Sequence, residues 1–212
     1  MSKYKHLFNI LVVLILVIGL IACSQKENDE LITKEHFLSD IKSRGKIVNG
    51  EQEGIWVHYN ENNGKLIKVN YYKEGKKYGY QYAFHDKGHL YNVAFYKNDT
   101  TISKFMNWYS NGILNFIEYY TNYGTLSDST KVWYKTGQLK QKGFYNNGKR
   151  DSIWSEFYKN GSIESKRSYK NGLKTGKWLF FNKDGDTLRI EKYRLGDTLF
   201  IKDFKNQETT NN

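Results

Sequence analysis

A single glycine returns at nearly constant spacing through most of this sequence. Successive members of the series lie 24, 24, 25, 24 and 24 residues apart, and they are Gly64, Gly88, Gly112, Gly137, Gly161 and Gly185. A period of this length is typical of repeat proteins, in which each unit contacts mainly its neighbours. We therefore expect an array of small similar units, an arrangement that disfavours a single enclosed catalytic pocket.

Each repeat also carries a tyrosine eight residues after its glycine. The six are Tyr72, Tyr96, Tyr120, Tyr145, Tyr169 and Tyr193. A branched aliphatic residue such as Leu90 follows each of the first five glycines at the second position. Because both offsets are even and side chains alternate along a strand, the aliphatic residue and the tyrosine are predicted on one face. The intervening Lys, Glu and Ser residues are predicted to face the other way.

The chain also contains the residues that hairpin turns require. Six Asn-Gly steps occur. A second glycine follows eleven residues after the periodic one in four units, and Asp99 and Tyr123 replace it in the other two. Asn-Gly favours tight β-hairpin turns, and dense aromatic residues without proline favour strands. The predicted fold is all-β: an elongated antiparallel β-meander of about six 24-residue hairpin repeats, with roughly twelve strands spaced about 4.8 Å apart.

A longer pattern links these positions: Tyr-x-x-Gly-x-x-x-Gly-x-Trp, an aromatic pair, then Asn/Asp-Gly. It occurs at residues 169–185 and, with Ser152 in place of one glycine, at 145–161. These residues resemble the bacterial MORN-type repeats, in the variant found in YwqK-type antitoxin proteins. The resemblance covers residues 47 to about 200, is weakest from Asn98 to Lys131, and implies a β-meander without enzyme activity. The chain resembles choline-binding or cell-wall-binding repeats less closely, since those units are shorter and lead with Gly-Trp.

The N-terminus reads as a lipoprotein signal peptide over residues 1–23. Lys3 and Lys5 precede an apolar run, residues 10–21, that is too short for a stable membrane span. The run closes on Leu20-Ile21-Ala22-Cys23, which resembles a bacterial lipobox, so Cys23 is the predicted lipid attachment site. Because the chain has one cysteine, it has no intramolecular disulfide framework.

Three further segments follow the predicted anchor. Residues 24–46 are expected to form a polar tether and a short amphipathic helix that covers the first edge of the sheet, residues 47–204 the repeat domain, and 205–212 a polar tail. The expected location is the bacterial cell envelope, as an outer-membrane lipoprotein. Residues 24–30 resemble a signal for export to the outer surface, and a plain spacer in a periplasmic protein is the alternative.

The charge balance narrows the choice of partner. The chain has 33 basic and 22 acidic residues, a net charge of +11, and cleavage before Cys23 leaves a net charge of +9. Basic residues interleaved with aromatic ones are typical of nucleic-acid binders, but an exported protein rarely meets nucleic acid, so none is expected. The excess fits anionic lipid or glycan, or an acidic protein, and it also fits a face that lysine keeps soluble.

The sequence offers no convincing catalytic or metal-binding constellation. His85, Asp86 and His89 surround a predicted turn rather than sharing a helix face, and no phosphate-binding glycine loop occurs. We therefore predict no catalytic residues, no metal and no cofactor. The candidate binding residues are Trp108, Trp133, Trp154 and Trp178, although the same rings are equally suited to pack a core.

Three functions follow from these features. The first is a lipid-anchored, non-enzymatic envelope protein that binds a protein partner through an aromatic and basic sheet surface. The second is a module that binds envelope glycan or lipid headgroups. The third is an antitoxin or immunity protein that neutralises a toxin.

Overall fold

The computed structural model describes residues 30–35 and 40–204, which form one open antiparallel sheet. Fifteen strands follow one another in chain order, each paired with the next, while a sixteenth, β5, pairs only with β4. The predicted all-β meander is confirmed, with about three strands more than expected, which corresponds to a sheet about 70 Å long. The strands are β1 Glu30–Glu35, β2 Ile41–Val48, β3 Glu51–Asn60, β4 Leu66–Lys73, β5 Lys76–Lys77, β6 Gly79–Phe84, β7 Leu90–Lys97, β8 Thr100–Trp108, β9 Leu114–Tyr120, β10 Leu126–Trp133, β11 Leu139–Asn146, β12 Lys149–Phe157, β13 Ile163–Lys170, β14 Leu173–Phe181, β15 Thr187–Arg194 and β16 Asp197–Asp203.

The prediction of a short N-terminal helix is wrong where the structure describes that segment. Strands β1 and β2 occupy it, and they pair with each other from Glu30 opposite Ile47 to Glu35 opposite Lys42. The open edge of β3 offers a row of backbone hydrogen-bonding groups, and pairing with it outweighs the modest helical preference of a short segment. The sheet therefore extends toward the N-terminus by two further strands.

Tight turns of one kind connect most of the hairpins, all at the same end of the strands. At Asn147-Gly148 both residues have positive φ, 48° and 75°, as a two-residue hairpin turn requires. Asn98-Asp99 forms the same turn without glycine, with φ of 49° and 62°. No glycine marks this turn in the sequence. The turn nevertheless has the same geometry as the others, because Asn and Asp also tolerate the left-handed region.

At the other end of the strands, the periodic glycines lie in longer turns. In one of them the Gly88 amide donates to the His85 carbonyl at 2.7 Å. The connection from β9 to β10 departs from the alternation, because a longer turn of this kind replaces the tight one and the Gly124 amide donates to the Thr121 carbonyl at 3.0 Å. This longer turn contains Tyr123, which is 91 % exposed, and it lies at the end of the strands where the neighbouring hairpins have two-residue turns.

A β-bulge recurs in alternate strands at a residue with positive φ. Glycine holds the position three times, and Ser103, Asp128 and Ser152 hold it with φ of 62°, 66° and 59°. A bulge redirects the side chains that follow it. The residue two positions after each bulge points to the same face of the sheet, and the six are Trp56, Gln81, Phe105, Thr130, Trp154 and Trp178.

We call the face that carries these six residues the tryptophan face. In its C-terminal part, tryptophan and the repeat tyrosines form a continuous stack, with ring centroids 4.9 Å apart for Tyr145 and Trp154 and 5.0 Å apart for Trp178 and Tyr193. Trp154 and Tyr169 link the two ends of this stack, and all its tryptophans are buried. Aromatic rings that cover one another in this way provide a core for a single-layer sheet.

The opposite face differs between the two halves of the sheet. On β11 the exposed side chains alternate with half-buried ones, as predicted, and include Lys140 and Lys142. On β4 and β7 the equivalent positions are Val69 and Val93, both buried. The prediction that polar residues occupy this face is therefore wrong for the N-terminal half, which buries apolar side chains there as well.

A candidate binding groove

The structure separates the four predicted binding tryptophans into two pairs. Trp154 and Trp178 are buried, and their indole nitrogens donate to the carbonyls of Phe144 at 3.1 Å and Ser168 at 2.9 Å. An indole that is buried and already hydrogen-bonded belongs to the core. For these two residues a packing role fits the structure, and a binding role stays an untested prediction.

Trp108 and Trp133 are half-buried and end strands β8 and β10. Their backbone carbonyls are held from the preceding repeat, by His85 Nε2 at 2.9 Å and by the Tyr109 hydroxyl at 2.8 Å. Tyr134 makes the same bond one repeat later. These bonds fix the backbone at the strand ends that carry the two half-buried indoles.

The stack of large rings is interrupted in the middle of the sheet. At the positions that hold Trp56, Trp154 and Trp178 elsewhere, the central repeats have Gln81, Phe105 and Thr130. Each of these side chains fills less volume than an indole. Two clefts open on the tryptophan face, one on each side of Phe105, whereas Gln81 and Thr130 are buried and line neither cleft.

We call these two clefts together the groove. The first has a volume of about 420 Å³ and the second about 510 Å³. Phe105 lines both, so the groove follows strand β8 from its start to its end. The side chains that define it are His85, Asn107, Trp108, Tyr109 and Phe116 in the first cleft, and Tyr96, Thr101, Tyr120 and Tyr123 in the second.

Amides and aromatic rings line the first cleft. Asn107 donates to the Tyr91 carbonyl at 2.9 Å and accepts from the Asn115 amide at 2.9 Å. The His85 ring packs edge-on against Tyr91, with centroids 4.9 Å apart. Because the buried Asn107 is fixed on both sides, this cleft presents a rigid wall with Trp108 at its rim, which suits binding without rearrangement.

Acidic groups lie at the second cleft. The Tyr120 hydroxyl donates to Glu118 Oε2 at 2.9 Å, and burial together with that bond raises the pKa of Tyr120 well above its usual range. The hydroxyl therefore stays protonated at physiological pH. Asp99 also lines the cleft, where one carboxylate oxygen accepts from the Lys77 amide at 2.9 Å.

The described residues offer little for metal chemistry. Within residues 30–35 and 40–204, no three His, Cys, Asp or Glu side chains converge as metal ligands. His85 is committed to the Trp108 carbonyl. In the same part of the chain, no helix has the length and apolar character needed to cross a membrane. Cys23, the signal peptide, the tether and the tail at 205–212 lie outside the described residues.

The opposite face carries paired lysines in its C-terminal half. Lys131 is directly opposite Lys142, and Lys177 is directly opposite Lys192. Like charges at directly opposed positions destabilise a sheet. The predicted aromatic and basic surface is thus divided, with the open aromatic groove on one face and the lysine pairs on the other.

Of the residues that line the groove, the sequence indicated only Trp108 as a binding residue. The sequence feature that could have indicated the others is the absence of the second glycine between Asn98 and Lys131. We interpreted that absence as a weaker resemblance to the repeat family and not as a site. One known family matches part of the chain: the family described as MORN repeat variant matches residues 129–147 and 150–171. The matched segments follow β7–β9, which supply most of the groove, and no curated protein matches the chain.

Proposed function

We propose that this chain, which matches MORN repeats at residues 129–147 and 150–171, is a lipid-anchored binding module that holds a protein partner in the groove around Phe105 and Trp108. The observation that carries the proposal is the break in the core. The regular repeats fill the tryptophan face with packed rings, whereas the central repeats leave an open groove lined with rings and amides. A fold held by repetition loses packing at such a break, and a bound partner restores it.

The shape of the groove favours an extended segment of polypeptide. It follows one strand and has no enclosing lid, so it suits a chain lying along the sheet better than a small molecule that needs burial on all sides. Tyrosine and tryptophan provide large contact areas at low cost in conformational entropy. The partner's own side chains would then occupy the two clefts in turn, one on each side of Phe105.

Lipid attachment at Cys23 is the second part of the proposal. Six residues separate Cys23 from Glu30, the first residue of β1. A fully extended chain of that length spans at most about 25 Å. Anchored in this way, the sheet would stand close to the surface of the outer membrane of the bacterial cell envelope, and its partner would be an envelope protein.

The anchor is tested by fractionation of cells that express the Cys23→Ser variant. The wild-type chain is expected in the membrane fraction with the mass of added acyl chains, and the variant without that added mass. An unmodified wild-type protein that leaves the membrane in the same wash as the variant would refute lipid attachment.

The partner is tested by chemical crosslinking in the native envelope followed by affinity capture of the chain. We expect one stoichiometric protein with the wild type, its loss with Trp108→Ala, and its retention with Ile153→Ala. Ile153 is the matched control, because it is 61 % exposed, lies outside the groove and comes from an equivalent strand. Capture that is equal for all three chains would refute the groove, and a toxin as the captured protein would identify the antitoxin function.

The lysine pairs favour a second candidate function, binding of anionic lipid headgroups or glycan by the opposite face. Their mutual repulsion falls when an anionic surface neutralises them. Cosedimentation with vesicles of phosphatidylglycerol and phosphatidylethanolamine tests this, using the chain from residue 24 onward, so that the apolar run at residues 10–21 does not itself bind the vesicles. Binding that disappears when Lys142 and Lys192 are changed to glutamine would support it, and sedimentation unaffected by that double change would exclude it.

A further inference from the structure

We infer that the second cleft of the groove takes an arginine or lysine side chain of the protein partner, held over the rings of Phe105 and Tyr120. This inference rests on the proposed function, since it names the chemistry that the partner must offer. It comes from a comparison of this chain's repeats with one another. In other hairpins, the chain itself fills the equivalent place with a cation.

The cations occupy one register position. The residue directly opposite the repeat tyrosine is Lys77, Arg150 or Lys174 in three of the hairpins. Each of the three places its charge over an aromatic ring. The Arg150 guanidinium lies 4.2 Å from the centroid of Trp154, and the Lys174 ammonium lies 4.6 Å from Trp178.

The same cations also reach the tyrosine of the next repeat. Arg150 lies 5.6 Å from the centroid of Tyr169, Lys174 lies 4.6 Å from Tyr193, and Lys77 lies 5.3 Å from Tyr96. A cation over two rings is more favourable than one over a single ring, because both ring faces are negative. The repeats thus have a recurring cation site between the core ring and the following tyrosine.

The hairpin of β7 and β8 has the rings of that site without its cation. Thr101 lies opposite Tyr96, in the register position of Arg150 and Lys174. The ring pair over which its side chain would extend is Phe105 and Tyr120, and these two rings line the open second cleft. Threonine is too short to reach the rings and carries no charge, so the site stays open.

The charge around this cleft also fits a cation. Glu118 is directly opposite Phe105 on the tryptophan face, and it accepts the Tyr120 hydroxyl. Among the residues that the structure describes, no lysine or arginine forms an ion pair with Glu118. By contrast, Glu191 in the equivalent position of a later repeat pairs with Arg189 at 2.8 Å. The carboxylate of Glu118 is therefore available to a cation that enters from outside.

The remaining charges of the cleft set the direction of entry. Asp99 lines the cleft, and the Lys77 ammonium lies 5.3 Å from the centroid of Tyr96, which also lines it. Repulsion from Lys77 disfavours a cation over Tyr96 and directs it toward Phe105 and Tyr120. Arginine suits the site well, because its flat guanidinium stacks on a ring while donating to a carboxylate.

The test is an NMR titration of the full chain in detergent micelles with Nα-acetyl-arginine methylamide. The matched compound is its citrulline analogue, which has nearly the same shape and no charge. We expect saturable shifts of the Thr101, Phe105 and Tyr120 amides with the arginine compound, and binding at least tenfold weaker with citrulline. Equal shifts from both compounds, or none with arginine, would overturn the inference.

Two variants tie the binding to the cleft. Thr101→Arg supplies the missing cation within the chain, so we expect it to fold with unchanged shifts elsewhere and to bind the arginine compound at least tenfold more weakly. Thr198→Arg is the matched control, since Thr198 lies opposite Tyr193 in the same register and outside the groove. If Thr101→Arg fails to fold, Phe105→Leu takes its place, with binding expected to weaken about threefold.

The outcomes separate this inference from the proposed function. A partner that crosslinks through Trp108 and binds Thr101→Arg as tightly as the wild type would overturn only the arginine or lysine inference. Arginine binding without any protein crosslinked at the groove would leave the cation site in place and refute the protein partner.

Discussion

Gly143 lies directly beneath the indole ring of Trp154, so closely that a Cβ atom at Gly143 would be 2.2 Å from the ring atom Cδ2. Gly45 has the same relationship to Trp56, at 2.3 Å. Neither glycine has a positive φ, in contrast to the glycines of the turns. Contact with a ring, rather than backbone conformation, therefore requires glycine at these two positions.

The first prediction concerns this contact. Gly143→Ala is expected to lower the free energy of unfolding by about 2 to 3 kcal/mol, because the methyl group displaces a buried indole. Urea denaturation measures it. Lys142→Ala on the same strand is the control, and its effect should be within about 0.5 kcal/mol since the side chain is exposed. A Gly143→Ala variant as stable as this control would contradict the packing described.

The second prediction separates core tryptophan from surface tryptophan. Trp154→Ala should cost about 3 to 5 kcal/mol of unfolding free energy, because it empties a buried site in the ring stack. Trp133→Ala should cost about 1 kcal/mol, since its ring is only half-buried. Both follow from denaturation midpoints at equal slope. Equal losses for the two variants would show that the division between them is incorrect.

The third prediction uses the bulges. Ser103 has a φ of 62°, a conformation that costs an L-residue about 1 kcal/mol and glycine almost nothing. Ser103→Gly should therefore raise the melting temperature. Ser129→Gly is the comparison, since Ser129 lies in β10 without a positive φ and the same change should destabilise by about 0.5 kcal/mol. Destabilisation by both changes would argue against the bulge at Ser103.

The fourth prediction is a pH dependence. The Asn171 amide donates to Asp151 at 3.0 Å, and with further help from Ser152 and Lys170 this holds the pKa of the Asp151 carboxyl below its ordinary value. A lowered pKa in the folded state means that the unfolded chain binds the proton more tightly. The resulting stabilisation is present above about pH 4, the ordinary range of an aspartate, and disappears as the pH falls through the lowered pKa.

This dependence is measured by comparing the wild type with Asp151→Asn. The difference in unfolding free energy should stay constant from pH 7 to pH 5 and shrink below about pH 4. A difference that is unchanged at pH 3 would show that the carboxylate charge contributes nothing at this turn.

Much of the architecture could be predicted from the sequence, because a residue that recurs in every repeat has the same structural role in each. Gly88 and its counterparts occupy turns that need a left-handed residue, and Tyr169 and its counterparts fall on one face through strand alternation. The tight turn at Asn98-Asp99 was less visible, since Asn and Asp there replace the expected glycine. The first two strands were invisible, because partner strands rather than local preference decide them.

The site was predictable only in part, for a physical reason. A tryptophan in a repeat looks the same in sequence whether its ring is packed or free, and burial decides between Trp154 and Trp108. The groove lies on both sides of Phe105, which stands at a position where other repeats have tryptophan. The absence of a tryptophan can be recognised only when the strand register shows which residue occupies the equivalent position.

The proposal that the groove around Phe105 and Trp108 holds a protein partner can be tested in living cells. The most direct measurement is site-specific photocrosslinking in living cells, with benzoylphenylalanine placed at residue 108 in one strain and at residue 153 in another. We predict a single crosslinked protein from residue 108, competed away by an excess of the unlabelled chain, and none from residue 153. The same products from both positions, or no protein from residue 108 in cells that contain the folded chain, would contradict the account.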